Sequence, residues 1–409
     1  MVKSTKCRLL STQDVPYEIY SPISDVVFSW TPRTDATLEL ESSIILAHGG
    51  TILAGLDITP SGHIPNWQME QLGRIGPGVR EKTRLLDGFT PLYDVALMTP
   101  RDRWKDEDGG WNVLLLRNHI QYTLLPLHPV DLSPYRVVII TDDYPISEDV
   151  VQRLSAYVKA GGSLIVERNA IGDPGTNVSL ADLLGIKPVS DSDFETTYIG
   201  EISTELRDGI WDEPVRCDGN ARLIEPTTAE ILARFIPPVA KYSHERWIWR
   251  QPNPPQRNAP AGPAITVNHV GKGNAVFISC ALGAPFTPMP AQQRLMGRLC
   301  ANIVRWLDPD PILRSSGIPS GVEVTISQKG SSHVVHLLNH HVVGGSFQCD
   351  DAIPTLADIE IHVNERRVGR VINARNLRTD HEISMNRTDS WVRLLLDRLD
   401  VHEMILLER

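Results

Sequence analysis

Three groups of side chains in this 409-residue sequence have the types and spacing to do chemistry. His48 is followed by Gly49-Gly50 at the end of the short apolar run Ser43 to Ala47, which reads as a strand. A histidine at the carboxyl end of a strand can touch a substrate or move a proton near neutral pH. Asp142-Asp143 follows the β-branched run Val137 to Thr141, and Glu167-Arg168-Asn169 follows Ser163 to Val166. Open α/β sheets bind ligands beyond the carboxyl ends of their strands, and carboxylates there do acid–base work when burial raises one pKa. Trp104, Trp111, Trp247 and Trp249 lie in or near loop-like stretches with charged residues, and Trp247 and Trp249 share one face if that piece is extended. Exposed indole faces stack on sugar rings. Each group also has a plainer reading. The His48 ring could be satisfied by local backbone, Asp142-Asp143 could be a solvated turn, and Glu167 could pair with an arginine at a subunit contact. The tryptophans could serve core or interface packing.

Other chemistries find little support. Cys7, Cys217, Cys280, Cys300 and Cys349 are far apart and form no C-x-x-C pair, so neither a disulfide framework nor a zinc site is expected. Cys280 sits in an apolar run and Cys300 in a helical pattern, which suits buried small hydrophobes. No Gly-x-Ser-x-Gly occurs, and no cysteine follows the strand ending at Glu167, so a nucleophile elbow is absent. His333 and His336 are three apart on a strand and point to opposite faces; they and His340-His341 read as polar surface histidines, and no metal or cofactor is expected. Lys and Arg number 40 against 50 Asp and Glu, a net charge of −10, with no basic stripe, which disfavours a nucleic-acid partner. No apolar run approaches the roughly 20 residues of a membrane span, and residues 1–20 contain no signal-like apolar core. A soluble, cytoplasmic protein is the expectation.

The elements that must position these groups are clearest between Tyr135 and Glu167. Val137-Val138-Ile139-Ile140 reads as a parallel strand covered on both faces. Ser147 is an N-cap candidate, Glu148 and Asp149 suit a helix N-terminus, and Val150, Val151, Leu154 and Val158 recur at helical spacing. Gly161-Gly162 ends that helix, and Ser163 to Glu167 restarts a strand, which makes a βαβ unit. Trp111 to Leu116 reads as an earlier strand, Ala264 to His269 with Ala275 to Cys280 as a hairpin, and Gln292 to Leu307 as a closing helix before Asp308-Pro309-Asp310-Pro311. Beyond Pro311 the period changes to strict alternation, as in Val322-Glu323-Val324-Thr325-Ile326. Short strands at His333 to Asn339, Ile359 to Val363, Trp391 to Leu396 and His402 to Leu407 indicate an antiparallel β-sandwich without helices. Asn66 to Leu86 is helix-like despite Gly73, Gly76, Pro77 and Gly78.

The order of these pieces resembles the non-catalytic part of the β-galactosidase family with a trimerisation domain, and of related uncharacterised glycoside hydrolases. The resemblance is carried by Tyr135 to Ile140 with Val158 to Val166, by Leu180-Ala181-Asp182-Leu183-Leu184-Gly185, by Gly271 to Phe277 and by Val334 to Asn339. It implies a class I amidotransferase-like (flavodoxin-like) open α/β sheet at 111–311 that mediates trimer contacts, followed by a β-sandwich at 312–409. Residues 1–110 then resemble the last strand and helix of a TIM barrel. The two catalytic carboxylates of such enzymes sit on barrel strands without counterparts here, so none is carried over. The expectation is a glycoside-hydrolase-related protein of carbohydrate metabolism that lacks a complete catalytic barrel. It would serve homo-oligomer assembly and possible carbohydrate or small-molecule binding. Two alternatives stand beside it: an enzyme with a repurposed pocket at His48 or at Asp142, Asp143 and Glu167, and the accessory subunit of a split glycosidase.

Overall fold

The structure is a computed structural model describing all residues except 1, 13–14, 26–29, 100–109, 127–129, 142–145, 241–253, 257–261, 281, 283–289 and 342–352. In chain order it begins with α1 (Val2–Leu10), β1 (Glu18–Pro22), α2 (Asp35–Ala47), β2 (Thr51–Gly55), α3 (Asn66–Leu85) and β3 (Thr90–Leu92). Next come β4 (Val95–Thr99), α4 (Gly110–Arg117), β5 (Tyr122–Pro126), β6 (Val137–Ile140), α5 (Glu148–Ala160), β7 (Ser163–Glu167), α6 (Val178–Leu184), β8 (Ile186–Asp191) and β9 (Thr196–Gly200). The middle of the chain closes with β10 (Val215–Asp218), β11 (Arg222–Pro226), β12 (Glu230–Ile236), β13 (Gly262–Val270), β14 (Gly273–Ile278) and α7 (Pro290–Leu307). The last segment holds β15 (Leu313–Ser316), β16 (Val322–Lys329), β17 (Ser332–Asn339), β18 (Leu356–Asn364), α8 (Glu365–Val368), β19 (Asn373–Asn376), β20 (Ser384–Thr388), β21 (Trp391–Leu399) and β22 (His402–Glu408). Two compact units result. One comprises Met1–Tyr93, His119–Thr123 and Asp310–Arg409, the other Asp94–Asn118 and Leu124–Pro309.

The second unit is built on a nine-stranded sheet of order β10-β9-β12-β13-β14-β7-β6-β4-β5. Its centre is parallel, since β14, β7, β6 and β4 run the same way, while β13, β12, β9 and β10 add antiparallel strands. The expected βαβ unit is β6-α5-β7, and the expected hairpin is β13-β14. Val138, Ile140, Leu164, Val166, Ala275 and Phe277 pack in one core with Val150, Val151, Leu154 and Val158 of α5 and Leu180 and Leu184 of α6. Gly161 ends α5 at φ 121°, and its N–H donates to the Tyr157 and Val158 carbonyls, a geometry that favours glycine. One expectation fails here: Trp111 to Leu116 is the helix α4, not a strand. Gly110 through Leu116 are all buried, so the helix presents no polar face and its period cannot be read from sequence.

The first unit contains two sheets, β15-β18-β21-β20 and β19-β22-β17-β16-β3, whose pairings are antiparallel. Their facing sides share one core that includes Val322, Val324, Ile326, Val335, Leu337, Ile361, Val392, Leu394 and Ile405. A short helix, α8, interrupts what was expected to be helix-free. The strand β3 comes from the N-terminal segment and pairs with β16. Before it, β1 and β2 form a two-stranded parallel sheet joined through α2. Here a second expectation fails. Ser43 to Ala47 is the last turn and a half of α2 and not a strand; Thr34 caps that helix by accepting from Thr37 N at 3.2 Å, and a short apolar run fits a buried helix end as well as a strand.

Candidate functional site

A group of buried charges lies wholly within the first unit. Helix α1 places Ser4 and Arg8 four apart, on one face. The C-terminus of α2 supplies His48, the residue after β3 supplies Tyr93, β16 supplies Glu323, and the residue after β17 supplies His340. Glu323 projects from a strictly alternating strand whose other face, Val322, Val324 and Ile326, fills the sandwich core. Its carboxylate is 1% exposed. Oε1 accepts from Ser4 Oγ at 2.7 Å, from Arg8 Nη2 at 2.6 Å and from His48 Nε2 at 2.8 Å; Oε2 meets His340 Nε2 at 2.9 Å. Arg8 also donates through Nη1 to the Tyr122 carbonyl at 2.5 Å and lies 4.2 Å from the Tyr122 ring centre.

The protonation states follow from this packing. Burial alone would raise the Glu323 carboxyl, but the Arg8 guanidinium and the His340 and His48 donors hold it well below the ordinary carboxylate range. Burial and the Arg8 charge push His48 down, so its ring is neutral. A neutral ring that donates from Nε2 to Glu323 has Nδ1 free to accept, and the Tyr93 hydroxyl stands 3.2 Å from it. Burial raises Tyr93 and Tyr122 above the tyrosine range, so both remain phenols. A second polar group continues along the same sheet face: Ser327 Oγ lies 3.0 Å from His336 Nε2, and His336 Nδ1 lies 3.3 Å from His402 Nε2. Lys82 of α3 donates to Ser43 Oγ of α2 at 2.8 Å and to Glu39 at 3.1 Å.

Chemically, this arrangement holds parts together. A carboxylate oxygen that already accepts three donors is saturated, and an anion held far below its ordinary pKa is a poor general acid. What the cluster does well is tie α1, the end of α2 and β16 to one another. His48, expected at a strand end, is a helix C-cap with no exposed surface, and the groups that satisfy its ring are side chains and not local backbone. His333 and His336 were read as surface histidines; both are buried, His336 on the face of Val334 and Leu338 that helix residues cover, and His333 on the opposite face, with Val335 and Leu337. Arg8, Glu323 and Tyr93 escaped the sequence reading. The alternating β16 pattern ordinarily marks a solvent face, and no local signal shows that α1 covers it.

In the second unit, Glu167 ends β7 and is buried. It opposes Ile278 of β14, and burial first, with the Glu167 charge second, pushes the neighbouring Cys300 thiol well up. Arg168 begins a 3-10 turn at Arg168–Ile171 and donates from Nη1 to the Asn220 carbonyl at 2.7 Å, so it braces a loop. Asp142, Asp143, Trp104, Trp247, Trp249 and the Asn169 side chain lie outside the described residues. Among the described residues no group of three His, Cys, Asp or Glu is arranged to hold a metal ion.

Comparison with known proteins bears on both units. Residues 110–289 match the family model described as the β-galactosidase trimerisation domain. β-Galactosidase LacZ of Heyndrickxia coagulans is 26% identical over 226 residues, which is 52% of this chain and 28% of that enzyme. The α-L-fucosidase isoenzyme 2 of Paenibacillus thiaminolyticus superposes with a TM-score of 0.81 at 18% identity, over 99% of this chain and 62% of that one. The β-galactosidase of Bacillus circulans sp. alkalophilus gives 0.66 at 17% identity, over 96% and 55%. The chain thus spans just over a quarter of the sequence relative and about six-tenths of the structures. The architecture is a mixed α/β one shared with glycoside hydrolases, and no helix among the described residues is long and apolar enough to cross a membrane. Through residues 110–289 this chain carries a β-galactosidase trimerisation domain and is related to the β-galactosidase-like glycoside hydrolases.

Proposed function

We propose that this chain is the assembly and support portion of a β-galactosidase-like glycoside hydrolase. Its flavodoxin-like or amidotransferase-like sheet unit joins copies into a homotrimer, and residues 1–110, 111–311 and 312–409 act as a barrel-end remnant, the trimer-forming domain and a β-sandwich. The observation that carries this reading is the match of residues 110–289 to a trimerisation domain. The site geometry agrees with it, since the buried Glu323 cluster is saturated by its own donors and serves to lock helices onto a sheet. The reading extends to a cytoplasmic location, supported by Cys7, Cys217, Cys280 and Cys300, which are buried and form no disulfide. It also extends to sugar contact at Trp104, Trp247 and Trp249.

Size-exclusion chromatography with light scattering tests the assembly. The expected particle has three times the mass of the chain, and a clean monomer at micromolar concentration removes the proposal. Calorimetric titration with galactosides tests the sugar contact: binding that is lost in Trp247→Ala and Trp249→Ala supports it, and no heat at millimolar sugar sinks it.

A further inference from the structure

The outer face of the sheet β15-β18-β21-β20 brings together four side chains that no stretch of the sequence shows side by side. Leu313, Ile361, Val363, Val392 and Leu394 turn into the sandwich core, and Met385 packs against it. Arg314, His362, Arg393 and Asn386 alternate with these residues and therefore turn away from the core. The register sets them in one row: Arg314 opposes His362, His362 opposes Arg393, and Arg393 opposes Asn386. Each strand of the sheet supplies one hydrogen-bonding side chain to this row, and none of the four is a carboxylate. Cross-strand pairs of opposite charge stabilise a sheet, and like charges directly opposite weaken it. The sheet's own pairing gives no reason for such a row, least of all in a chain whose net charge is −10.

The row is also oriented by its neighbours. Arg314 lies over Trp391, with Cζ 4.4 Å from the ring centre. Stacking on a ring occupies the face of a guanidinium and not its N–H edge, so the cation is positioned while it can still donate. From the adjacent row, Glu360 accepts from His362 Nε2 at 2.6 Å and from Arg393 Nη2. One carboxylate thus orients two members of the row. No described residue takes Arg393 Nη1, and 41% of the Arg393 side chain is in contact with solvent. Arg314 and Asn386 are exposed, and His362 is half-buried.

We propose that the row Arg314-His362-Arg393-Asn386 binds an acidic oligosaccharide, one that bears uronate carboxylates, laid across the strands. Charge and spacing choose this occupant. Guanidinium N–H groups make their strongest bonds to carboxylate oxygens, and the row has a guanidinium on two of its strands. Neighbouring strands stand about 4.8 Å apart, so the backbones of Arg314 and Arg393, two strands apart, are separated by about 10 Å. Alternate residues of an extended pyranoside chain repeat over a similar length. Two carboxylates on one side of such a chain can then meet the two arginines, while His362 and Asn386 bond hydroxyls between and beyond them. The inference rests on the glycoside-hydrolase reading for the choice of a sugar. It places the ligand on the first unit, apart from the trimerisation domain and from Trp104, Trp247 and Trp249 of the second.

Calorimetric titration of the full chain with a short oligogalacturonate, and with the uncharged galacto-oligosaccharide of the same length, reads the site. The oligogalacturonate should bind, and the uncharged sugar should give no heat that depends on Arg314 or Arg393. Arg314→Gln and Arg393→Gln should each weaken oligogalacturonate binding by about tenfold or more. Arg398→Gln, on the same strand as Arg393 but paired with Asp400, should leave it unchanged. All three side chains reach solvent, so the variants should fold, which circular dichroism checks. No heat from oligogalacturonate at millimolar concentration overturns the proposal, and so does binding that both arginine variants retain. A single-stranded oligodeoxynucleotide that binds through the same two arginines as tightly also overturns it, because the row would then read charge without sugar. Light scattering keeps the two readings apart: a monomer that binds oligogalacturonate through Arg314 and Arg393 removes the assembly proposal and supports this one.

Discussion

Two sheets in this molecule bury both faces, and they do so with opposite chemistry. In the second unit, Val137 to Ile140 and Leu164 to Val166 are buried without break, and both sides of the strands are apolar. In the first unit, β16 sends Val322, Val324 and Ile326 into an apolar core and Glu323, Thr325 and Ser327 to a face that is equally buried. The first arrangement is held by area removed from water, which tolerates small errors of geometry. The second depends on its buried charges, Glu323 and Arg8, finding each other, because an unpaired charge in a low-dielectric interior is costly.

That contrast is broken hardest at Glu323. Glu323→Ala leaves the Arg8 guanidinium buried without its counter-ion, a situation that costs about 3–5 kcal/mol. Unfolding in urea, followed by hydrogen exchange in peptides of α1 and β16, should show a loss of that size, with peptides of β6 and β7 as internal reference. The double variant Arg8→Met with Glu323→Met should recover part of it, since both charges leave together. A single-variant loss below about 1 kcal/mol would mean that the cluster is solvated and the contrast false.

Acid should act in the same place. Burial, with the nearby His48 adding to it, lowers His336 from 6.5 to about 3. An unfolded chain takes up that proton as pH falls through 6.5, whereas the folded ring refuses it until about pH 3. Stability from this ring is thus complete above 6.5 and is lost progressively on the way down, by up to about 1.4 kcal/mol per pH unit. Glu323 acts with the same sign in a lower window. Its folded pKa is depressed, so its contribution is present above about 4.5 and fades below that. Replacing His336→Gln should lower the slope of the stability profile between pH 6.5 and 4.5 by one proton's share, the remainder belonging to His333, His48 and His402, which are also held below 6.5, and should leave the Glu323 loss below 4.5 in place. An unchanged slope in that interval would show that His336 is not a buried neutral ring.

How much of this was legible in the sequence follows the same division. The run Val137 to Ile140, the α5 periodicity and the Gly161-Gly162 stop are local patterns with one physical solution, and β6-α5-β7 forms as read. The Ser43 to Ala47 and Trp111 to Leu116 segments read as strands because each is short and apolar, and helices buried all round lose the period that would identify them. Glu323 looks like a solvent-facing residue of an alternating strand. Its burial is decided by α1, 315 residues away in sequence at Arg8, and no window of neighbouring residues contains that information.

The glycines extend the contrast to smaller energies. Gly273 opens β14 beside the end of α5, where a Cβ would sit 2.1 Å from the Gly162 carbonyl oxygen and 2.3 Å from that of Val158. Those are backbone atoms that cannot rotate away. Gly273→Ala should therefore cost about 1–3 kcal/mol by overpacking, read as a lower urea midpoint for the second unit. A neutral result would show that the α5–β14 contact is looser than the described geometry.

Gly73 is the opposite case. It lies inside α3 with nothing within 4 Å of a Cβ, so alanine there removes backbone freedom from the unfolded chain without meeting a neighbour. The isolated protein should gain about 0.5–1 kcal/mol on Gly73→Ala, measured as a higher urea midpoint for the first unit. The sign is informative in both directions. A gain means the flank is bare in the isolated protein, and the glycine is then unexplained by this unit's own packing. A loss would mean that another part of the chain lies against α3 at Gly73, and the contrast with Gly273 would then disappear.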